Sequence, residues 1–538
     1  MPDISDVTQV MPLAALAAAA LMIIVVDLVV PARFARSWVL VTAIAGLAVV
    51  GWYLWDLWRG VAVLPAFAAG ELRPFGGAVV LDGLSVAAGW LLLATALVAV
   101  LLSVTERARD MSGYISLVLF AALGMMVLAA AADMMVLFVA LEVLSLSLYA
   151  LVAFRRHDQA AREGAFKYFL LGSVAAALLL YGFALIYGVT GATKFADVAA
   201  FARGGAVGAM YHAGFALVVI GFAFKLALAP FHTWAPDAYQ GAPTPVTAFM
   251  AVGTKAAAFV ALARFLWAAV PADPELMRAY MIPIGLLAAV SMLVGSLGAV
   301  FQTNLKRLLA YSGIAHAGYL FMPLLSLEPE GLGQSLFYLF AYLCMAGGAF
   351  AVMAFRATEA GEAATPAQGA AGLGSEDPDE LPAWRGFYRR RPWLALAMAL
   401  FFLSMAGMPP TAGFTGKLML IGGGLAAGAG WLLAAMVAST GISAYVYLRV
   451  VGTLFRAPEG VPEAGAGDSA AGPAAGSQAP AGAVGIVPPG AAELGPVAVA
   501  WDRIAVGAAL LLTVAGLLIL GLFPDLLLDG LRGLLPLR

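Results

Sequence analysis

The chain alternates between long apolar stretches and short polar segments over most of its length. Each apolar stretch is about twenty residues long, which is enough for a helix to cross the hydrocarbon core of a membrane. The pattern predicts an all-α, polytopic membrane protein with about fourteen transmembrane helices. The predicted spans are 10–30, 38–56, 79–104, 114–131, 134–154, 164–188, 211–239, 245–268, 279–301, 307–326, 334–356, 393–425, 430–453 and 501–523.

Composition supports this interpretation. Of the 538 residues, 63% are hydrophobic and only 11% are charged, whereas a soluble domain carries roughly 25% charged residues. The net charge of −2 argues against nucleic acid as a partner. The single cysteine, Cys344, excludes an intrachain disulfide and any CxxC metal or redox motif. The acidic start, MPDISDVTQV, lacks the basic residues of a secretory signal, so we interpret 10–30 as a retained first helix.

Lysine and arginine are concentrated in alternate loops, and the positive-inside rule assigns those loops to the cytoplasm. Fourteen spans then place both termini outside. This alternation also supports the number of spans, because a missed helix would disturb it. The basic residues are Arg33, Arg36, Arg107, Arg109, Arg155, Arg156, Arg162, Lys306, Arg307, Arg385, Arg389, Arg390 and Arg391.

A weak internal repeat relates two parts of the chain. EVLSLSLY in the fifth span resembles SGIAHAGY in the tenth, and proline and glycine interrupt both the seventh and the twelfth spans. Five spans separate the members of each pair, so the two units would have opposite orientations in the membrane. Inverted repeats with paired broken helices are a transporter architecture. Chance similarity between helices rich in leucine and alanine is the alternative.

The predicted organisation follows from these observations. Two segments rich in alanine, glycine and proline cannot bury enough apolar surface to offset the entropy of ordering, so we expect flexible or disordered cytoplasmic loops there. The predicted parts are 1–110 with helices 1–3, 111–270 with helices 4–8, 271–455 with helices 9–13 and a flexible loop at 357–391, 456–500 as a disordered loop, and 501–538 with helix 14 and a tail.

Buried lysines are the most informative residues. Lys225 and Lys255 lie inside otherwise apolar runs of the stretch 219–259. A lysine at the bilayer centre costs roughly 2.5–3.5 kcal/mol on insertion scales, so such residues generally face the protein interior and are functional. Pro230 should break the helix that carries Lys225. Lys417 follows a second proline break in the same way, which predicts an ion-handling site near both breaks.

Glu142 lies well inside the fifth span, where a carboxylate needs a positive partner or a proton. We predict that it pairs with Lys225 and that Lys255 and Lys417 continue a proton relay. The alternatives are a neutral, hydrogen-bonded Glu142 and a static salt bridge at Lys225.

Four further residues are possible secondary members of the relay. His232 follows the first break and either relays a proton or caps backbone groups. His316 lies deeper in the tenth span and either joins the row of hydrophilic residues or hydrogen-bonds to a helix backbone. Lys306 opens that span as a relay residue or a cytoplasmic anchor. Lys167 is near the start of the sixth span, where it either relays or reaches the surface. The four histidines of the chain are too scattered to predict a metal site.

Three segments resemble the antiporter-like membrane subunits of respiratory complex I. They read KLALAPFHTWAPDAYQGAPTPVTAFMAVGTK, QTNLKRLLAYSGIAHAGY and GMPPTAGFTGK, and the resemblance covers roughly residues 80–455. It implies fourteen helices with two inverted five-helix units, helices 4–8 and 9–13, and discontinuous helices 7 and 12. It also implies a proton relay formed by a glutamate on the fifth helix and lysines on the seventh, eighth and twelfth, matched by Glu142, Lys225, Lys255 and Lys417.

The resemblance further implies a subunit of a proton-translocating NADH:quinone oxidoreductase in the bacterial inner membrane. No redox cofactor would be bound in this chain, because NADH, FMN, the iron–sulfur clusters and quinone belong to partner subunits. The expected partners are the antiporter-like subunit M, the small membrane subunits and the lipid bilayer. The alternative is a subunit of a multi-subunit Na⁺/H⁺ antiporter, which shares the fold.

Overall fold

The computed structural model describes residues 9–63, 74–106, 110–205, 207–271, 273–363, 377–457 and 496–534. Within these residues the regular structure is helical, apart from three isolated β-bridges. The helices are α1 (Met11–Val29), α2 (Ala32–Val63), α3 (Gly83–Leu102), α4 (Met111–Ala130), α5 (Met134–Val152), α6 (Gln159–Thr190), α7 (Phe195–Arg203), α8 (Ala209–Lys225), α9 (Trp234–Gly241), α10 (Thr244–Ala269), α11 (Pro274–Val300), α12 (Leu305–Leu324), α13 (Pro329–Ala357), α14 (Pro392–Ala406), α15 (Ala412–Ala426), α16 (Gly430–Phe455), α17 (Pro496–Leu522) and α18 (Asp525–Leu534).

Eleven helices in the described parts of the chain are long and apolar enough to cross a membrane. The three remaining predicted spans correspond to α12 and to two interrupted helices, α8 with α9 and α14 with α15. The predicted all-helical membrane fold is therefore confirmed. The number of fourteen spans and the inverted repeat stay predictions.

The first interruption begins directly after Lys225, the last residue of α8. Pro230 explains this position, because a proline ring clashes with the carbonyl four residues earlier, here that of Leu226. The chain then turns through 226–233 before α9 starts. The indole of Trp234 donates to the carbonyl of Phe224 at 3.0 Å and so satisfies one of the carbonyls left open at the end of α8.

The second interruption separates α14 from α15. Gly407 ends α14 with a left-handed conformation, φ 90°, which glycine adopts without steric cost. Gly413, in the first turn of α15, packs directly on the preceding half. A Cβ at this position would lie 1.9 Å from the carbonyl oxygen of Ser404, so the close approach of the two halves requires glycine.

Two helices contain a π turn in the protein interior. One, at Met250–Thr254, lies in α10 immediately before Lys255, and the other, at Leu343–Gly347, lies in α13. A π turn inserts one residue into a helix and is often found at functional sites. The apolar part of α10 is wholly buried, so Lys255 lies on a helix that is enclosed by protein.

The predicted flexible loop at 357–391 contains regular structure at both ends. Helical turns continue to Ala363, and residues 377–391 include a 3₁₀ turn at Leu381–Trp384 and a helical turn at Phe387–Arg390. Trp384 and Phe387 are buried. These two aromatic side chains anchor residues 377–391, and average composition does not reveal such single anchors. Residues 364–376 lie outside the described residues, as do 458–495 of the predicted disordered loop and the basic residues Arg107 and Arg109.

Candidate functional site

Lys225 is buried at the end of α8 and points towards two hydroxyl groups. Its ammonium donates to Ser145 Oγ on α5 at 2.9 Å and to the hydroxyl of Tyr168 on α6 at 3.1 Å. The first break therefore brings a cation against the faces of two other helices. Both of these hydrogen bonds of the lysine are to side chains and not to backbone groups.

Glu142 lies on the same face of α5 as Ser145, three residues earlier. It is close enough to Lys225 for their charges to interact. No ion pair in direct contact joins these two residues, both of which the structure describes. Glu142 Oε1 is buried and has no hydrogen-bond partner among the described atoms. The predicted pairing is thus electrostatic, with Ser145 making the direct contact to the lysine.

Lys255 is buried in the middle of α10, directly after the π turn. Its ammonium donates to the hydroxyl of Tyr239 on α9 at 3.1 Å. It also approaches α12 at Gly313, where a Cβ would lie 2.8 Å from the lysine Nζ and 2.9 Å from the hydroxyl of Tyr342. The absence of a side chain at Gly313 leaves room for both polar groups to face the same point.

His316, one helical turn after Gly313, is the centre of a buried polar cluster. Its Nδ1 lies 2.6 Å from the hydroxyl of Tyr338, and its Nε2 lies 3.1 Å from the hydroxyl of Tyr447. The imidazole ring also packs against the Tyr342 ring, with 5.0 Å between the ring centres. The side-chain contacts favour the interpretation of His316 as a member of a polar network over the backbone-bonded alternative.

Lys417 is buried in α15 and reaches back across the second break. Its ammonium donates to the carbonyl of Met405 at 2.8 Å and to that of Ala406 at 3.2 Å. These carbonyls belong to the last turn of α14, where backbone acceptors lack helical partners and the negative end of the helix dipole favours a cation.

Four lysines among the described residues are buried, and three of them, Lys225, Lys255 and Lys417, share one arrangement. Each ammonium lies within about 6 Å of the centre of a tyrosine ring, and those of Lys225 and Lys255 lie beside the ring hydroxyl to which they donate. The rings belong to residues that sequence analysis did not single out, because a tyrosine in an apolar helix looks like an ordinary core residue. The pairs are Lys225 with Tyr168 at 5.4 Å, Lys255 with Tyr239 at 5.4 Å, and Lys417 with Tyr319 at 5.6 Å from Nζ to ring centre.

Together these residues form a group of mostly buried side chains that we call the lysine file. Tyr168 stacks on Trp234 of α9, with 4.3 Å between ring centres, and so connects the Lys225 group to the helix that carries Tyr239. The His316 cluster lies between Lys255 and Lys417. The file consists of Glu142, Ser145, Tyr168, Lys225, Tyr239, Lys255, His316, Tyr319, Tyr338, Tyr342, Lys417 and Tyr447.

Three of the predicted secondary relay residues make contacts elsewhere. His232 lies in the loop after α8, with its ring 6.3 Å from that of Tyr311. Lys167 is partly exposed and forms ion pairs with Glu163 at 2.5 Å and Asp237 at 2.7 Å. Lys306 is buried and forms an ion pair with Asp379 at 3.0 Å.

One charged residue of α10 was missed by the sequence analysis. Arg264 donates to both carboxylate oxygens of Asp82 and to Ser85 Oγ, near the C-terminal end of α10. It also donates to the carbonyl of Ala129 at 2.8 Å. Because its four hydrogen bonds reach the start of α3 and the end of α4, we assign this arginine to holding α3, α4 and α10 together. A charged residue inside the predicted span 245–268 was a signal in the sequence by which Arg264 could have been found.

The sequence matches the family described as NADH:quinone oxidoreductase/Mrp antiporter, TM, over residues 131–443. It is 44% identical over 471 residues to NADH-quinone oxidoreductase subunit N 1 of Symbiobacterium thermophilum, which covers 86% of this chain and 90% of the relative. It is 39% identical over 463 residues to NADH-quinone oxidoreductase subunit N of Trichlorobacter lovleyi, which covers 84% and 88%.

Solved structures of similar fold include chains of respiratory complex I and of an Mrp complex. A chain of respiratory complex I from Thermus thermophilus, with bound aureothin, has a TM-score of 0.71 at 36% identity, covering 97% of this chain and 99% of that chain. A chain of the Mrp complex from a Dietzia species has a TM-score of 0.73 at 24% identity, covering 98% and 96%. The second similarity is a similarity of fold alone.

Proposed function

The chain belongs to the NADH:quinone oxidoreductase/Mrp antiporter family, and we propose that it is a proton-translocating membrane subunit of NADH–quinone oxidoreductase, equivalent to subunit N of its relatives. The relatives that match most of its length carry that name. Its partners would be subunit M and the small membrane subunits. NADH, flavin, iron–sulfur clusters and quinone are assigned to partner subunits.

The observation that carries the proposal is the lysine file. Lys225, Lys255 and Lys417 are all buried, although they come from three different helices. The His316 ring contacts Tyr342, which faces Gly313 together with Lys255, and Tyr319, which lies beside Lys417. Burying a charge without a strong partner is costly. A purely structural role does not explain three lysines that each lack an ion pair in direct contact among the described residues. A proton relay needs groups of this kind, which accept a proton from one neighbour and release it to the next.

The proposed mechanism starts at Glu142. Quinone reduction in the partner subunits changes the charge distribution along the membrane, and the interaction between Glu142 and Lys225 strengthens or weakens in response. Weakening it lets Lys225 release its proton towards Lys255, through hydroxyl groups and internal water. The proton continues past His316 to Lys417 and leaves to the outside.

The energy of a charge pair is similar in size to the energy needed to move a proton against the membrane potential. Moving one charge against 100 mV requires about 2.3 kcal/mol. Two unit charges about 4 Å apart interact by about 4 kcal/mol at an effective dielectric constant near 20. Forming or breaking one charge contact in the file can therefore drive one proton across part of the membrane potential.

The inverted repeat is part of the proposal. Two features support it: α8 with α9 and α14 with α15 are both interrupted helices, and each carries a buried lysine over a tyrosine ring. Both termini are assigned to the outside on the basis of the basic loops.

The test is quinone-coupled proton pumping in inverted membrane vesicles that contain the assembled complex. We expect Lys225→Ala and Glu142→Ala to abolish the NADH-driven pH gradient, because each removes one member of the starting pair. Lys167→Ala is the matched control, since this lysine is partly exposed and outside the file. Normal pumping in both Lys225→Ala and Glu142→Ala would refute the assignment.

The second candidate is a subunit of a multi-subunit cation/proton antiporter, favoured by the fold shared with the Mrp chain. Purification of the native assembly distinguishes the two. Partners from NADH–quinone oxidoreductase bring flavin and iron–sulfur absorbance, whereas antiporter partners bring neither and the assembly exchanges sodium for protons.

A further inference from the structure

Residues 377–384 form a short segment, here called the strap, that lies across the start of α12. The amide of Leu305 donates to the carbonyl of Asp379 at 2.8 Å, and the amide of Leu381 donates to the carbonyl of Thr303 at 2.7 Å. These two bonds flank an isolated β-bridge between Asn304 and Glu380. The strap is thus fixed to the end of α12 that the positive-inside pattern assigns to the cytoplasm.

The other end of the strap is fixed by aromatic and cationic groups. Trp384 is fully buried, and its indole donates to the carbonyl of Pro378 at 3.0 Å. The guanidinium of Arg356 lies 4.3 Å from the centre of the Trp384 ring and donates to the carbonyls of Pro378 and Ala383. The strap is therefore a defined structural element with its own anchor.

Beneath the strap lies Lys306, with only 1% of its surface exposed. Its ammonium contacts Asp379 Oδ2 at 3.0 Å and the carbonyl of Ala242 at 3.2 Å. A cation buried to this extent is stable only with a partner, and removing the partner of a buried pair is strongly unfavourable. The carboxylate of Asp379 remains 20% exposed, so it is the outermost group of this contact.

Polar groups continue inwards from Ala242 to the lysine file. Ala242 connects α9 to α10, and Thr247 Oγ1 lies 3.5 Å from its carbonyl and 3.0 Å from the carbonyl of Tyr239. The hydroxyl of Tyr239, at the far end of its ring from this carbonyl, accepts a hydrogen bond from Lys255. The ion pair under the strap therefore covers the cytoplasmic approach to Tyr239, the residue that contacts Lys255.

We propose that the strap covers a cytoplasmic proton entrance and that Asp379 holds the strap in its closed position. With Asp379 bound to Lys306, the entrance is closed. When this ion pair breaks, the strap lifts, Lys306 turns towards water, and the route past Ala242 and Thr247 opens to Lys255. Two further charged pairs face this region. Arg307, the residue after Lys306, pairs with Asp237, and Arg155, which is within electrostatic reach of Asp379, pairs with Glu106 at 2.6 Å.

This inference rests on the proposed relay for its role in pumping, but the cover itself is tested separately by accessibility. The chain has one cysteine, so Cys344→Ala provides a background without thiols. A reporter cysteine at Thr247, which is fully buried, then measures how readily a charged, membrane-impermeant thiol reagent passes the strap. Ala242→Cys is a second reporter in case the first weakens assembly.

The assembled complex is labelled in inverted vesicles, which expose the cytoplasmic face. We expect Asp379→Asn to raise the labelling rate at least tenfold, because the ion pair is lost. Glu380→Gln is the matched control, since it neutralises the adjacent carboxylate and leaves the pair intact. Asp379→Glu should restore protection, and so should exchange of the two charges in Asp379→Lys with Lys306→Asp.

Equal labelling in Asp379→Asn and the unmodified strap would overturn the proposal. So would an equal rise in Glu380→Gln, or labelling only from the opposite side of the membrane. Proton pumping is measured on the same vesicles, and Asp379→Asn should lower the protons moved per NADH at least twofold with NADH oxidation unchanged. If Lys225→Ala still pumps, the relay proposal fails, whereas the labelling result continues to report on the strap.

Discussion

The two interrupted helices each hold a buried lysine, and they hold it in different ways. Lys225 is the last residue before its break, and its ammonium contacts two side-chain hydroxyls on neighbouring helices. Lys417 follows its break, and its ammonium contacts two backbone carbonyls at the end of the preceding half-helix. The same element thus provides two different environments for a cation.

The difference separates a movable contact from a fixed one. Hydroxyl groups both donate and accept, and they rotate to suit the protonation state of their neighbour. Backbone carbonyls only accept, and they cannot leave without unwinding a helix end. Lys225 is therefore suited to exchange protons with a changing partner, whereas Lys417 is suited to hold a cation in place near the end of the route.

The largest effect is expected at the second break, where the two halves touch. Gly413→Ala places a Cβ 1.9 Å from the Ser404 carbonyl oxygen, and overpacking against backbone costs about 1–3 kcal/mol or more. We expect assembly of the chain into membranes to fall sharply. Gly422→Ala on the same helix is the control, because nothing lies within 4 Å of the added Cβ. Normal assembly of Gly413→Ala would show that this break is not rigid.

The next effect distinguishes the two lysines directly. Lys417→Met leaves the carbonyls of Met405 and Ala406 without their donor, and a buried unsatisfied acceptor costs about 1–3 kcal/mol. Lys225→Met leaves hydroxyls that can find other partners. We expect pumping to be lost in both, with a lower thermal denaturation midpoint only in Lys417→Met. Equal midpoints for the two variants would contradict the comparison.

A smaller effect is expected from removing single hydroxyls of the tyrosines. Tyr168→Phe deletes an acceptor of Lys225, and the loss of about 0.5–1.5 kcal/mol in a hydrogen bond predicts a two- to tenfold lower pumping rate. Tyr319→Phe should pump normally, because its hydroxyl binds Ser439 and only its ring faces Lys417. The initial rate of vesicle acidification measures both. A larger loss of pumping rate in Tyr319→Phe than in Tyr168→Phe would contradict the assignment of the hydroxyl contact to Lys225.

The smallest effect is expected at Ser145. Ser145→Ala removes the other hydroxyl partner of Lys225, but Tyr168 remains, so we expect about a twofold lower pumping rate. Ser147→Ala is the matched control, because Ser147 makes the same kind of bond to its own helix, to the carbonyl of Val143 at 2.8 Å, away from Lys225. Identical rates for the two serine variants would place Ser145 outside the relay.

The fold class and the ionisable residues were predictable because a lysine or glutamate within an apolar run is conspicuous. The tyrosines were not, since hydrophobicity patterns treat them as core residues and only helix packing brings Tyr168 and Tyr239 to the lysines. Whether the predicted pairing of Glu142 with Lys225 is a direct contact depends on side-chain direction, which residue spacing does not determine. The position of the first break, at Lys225 and not at Pro230, follows from the four-residue reach of the proline ring.

The π turn before Lys255 has a consequence for how the eighth span tolerates change. Winding at Met250–Thr254 contains a surplus residue, so deleting one residue there would restore a regular α-helix with little strain. The residues on either side would keep their present facing, because the wide turn already absorbs the surplus residue. A one-residue deletion in a regular α-helical turn between Met250–Thr254 and either end of α10 would instead rotate one side by about 100° relative to the other. The location of this charge therefore depends on residue count along the helix as much as on residue identity.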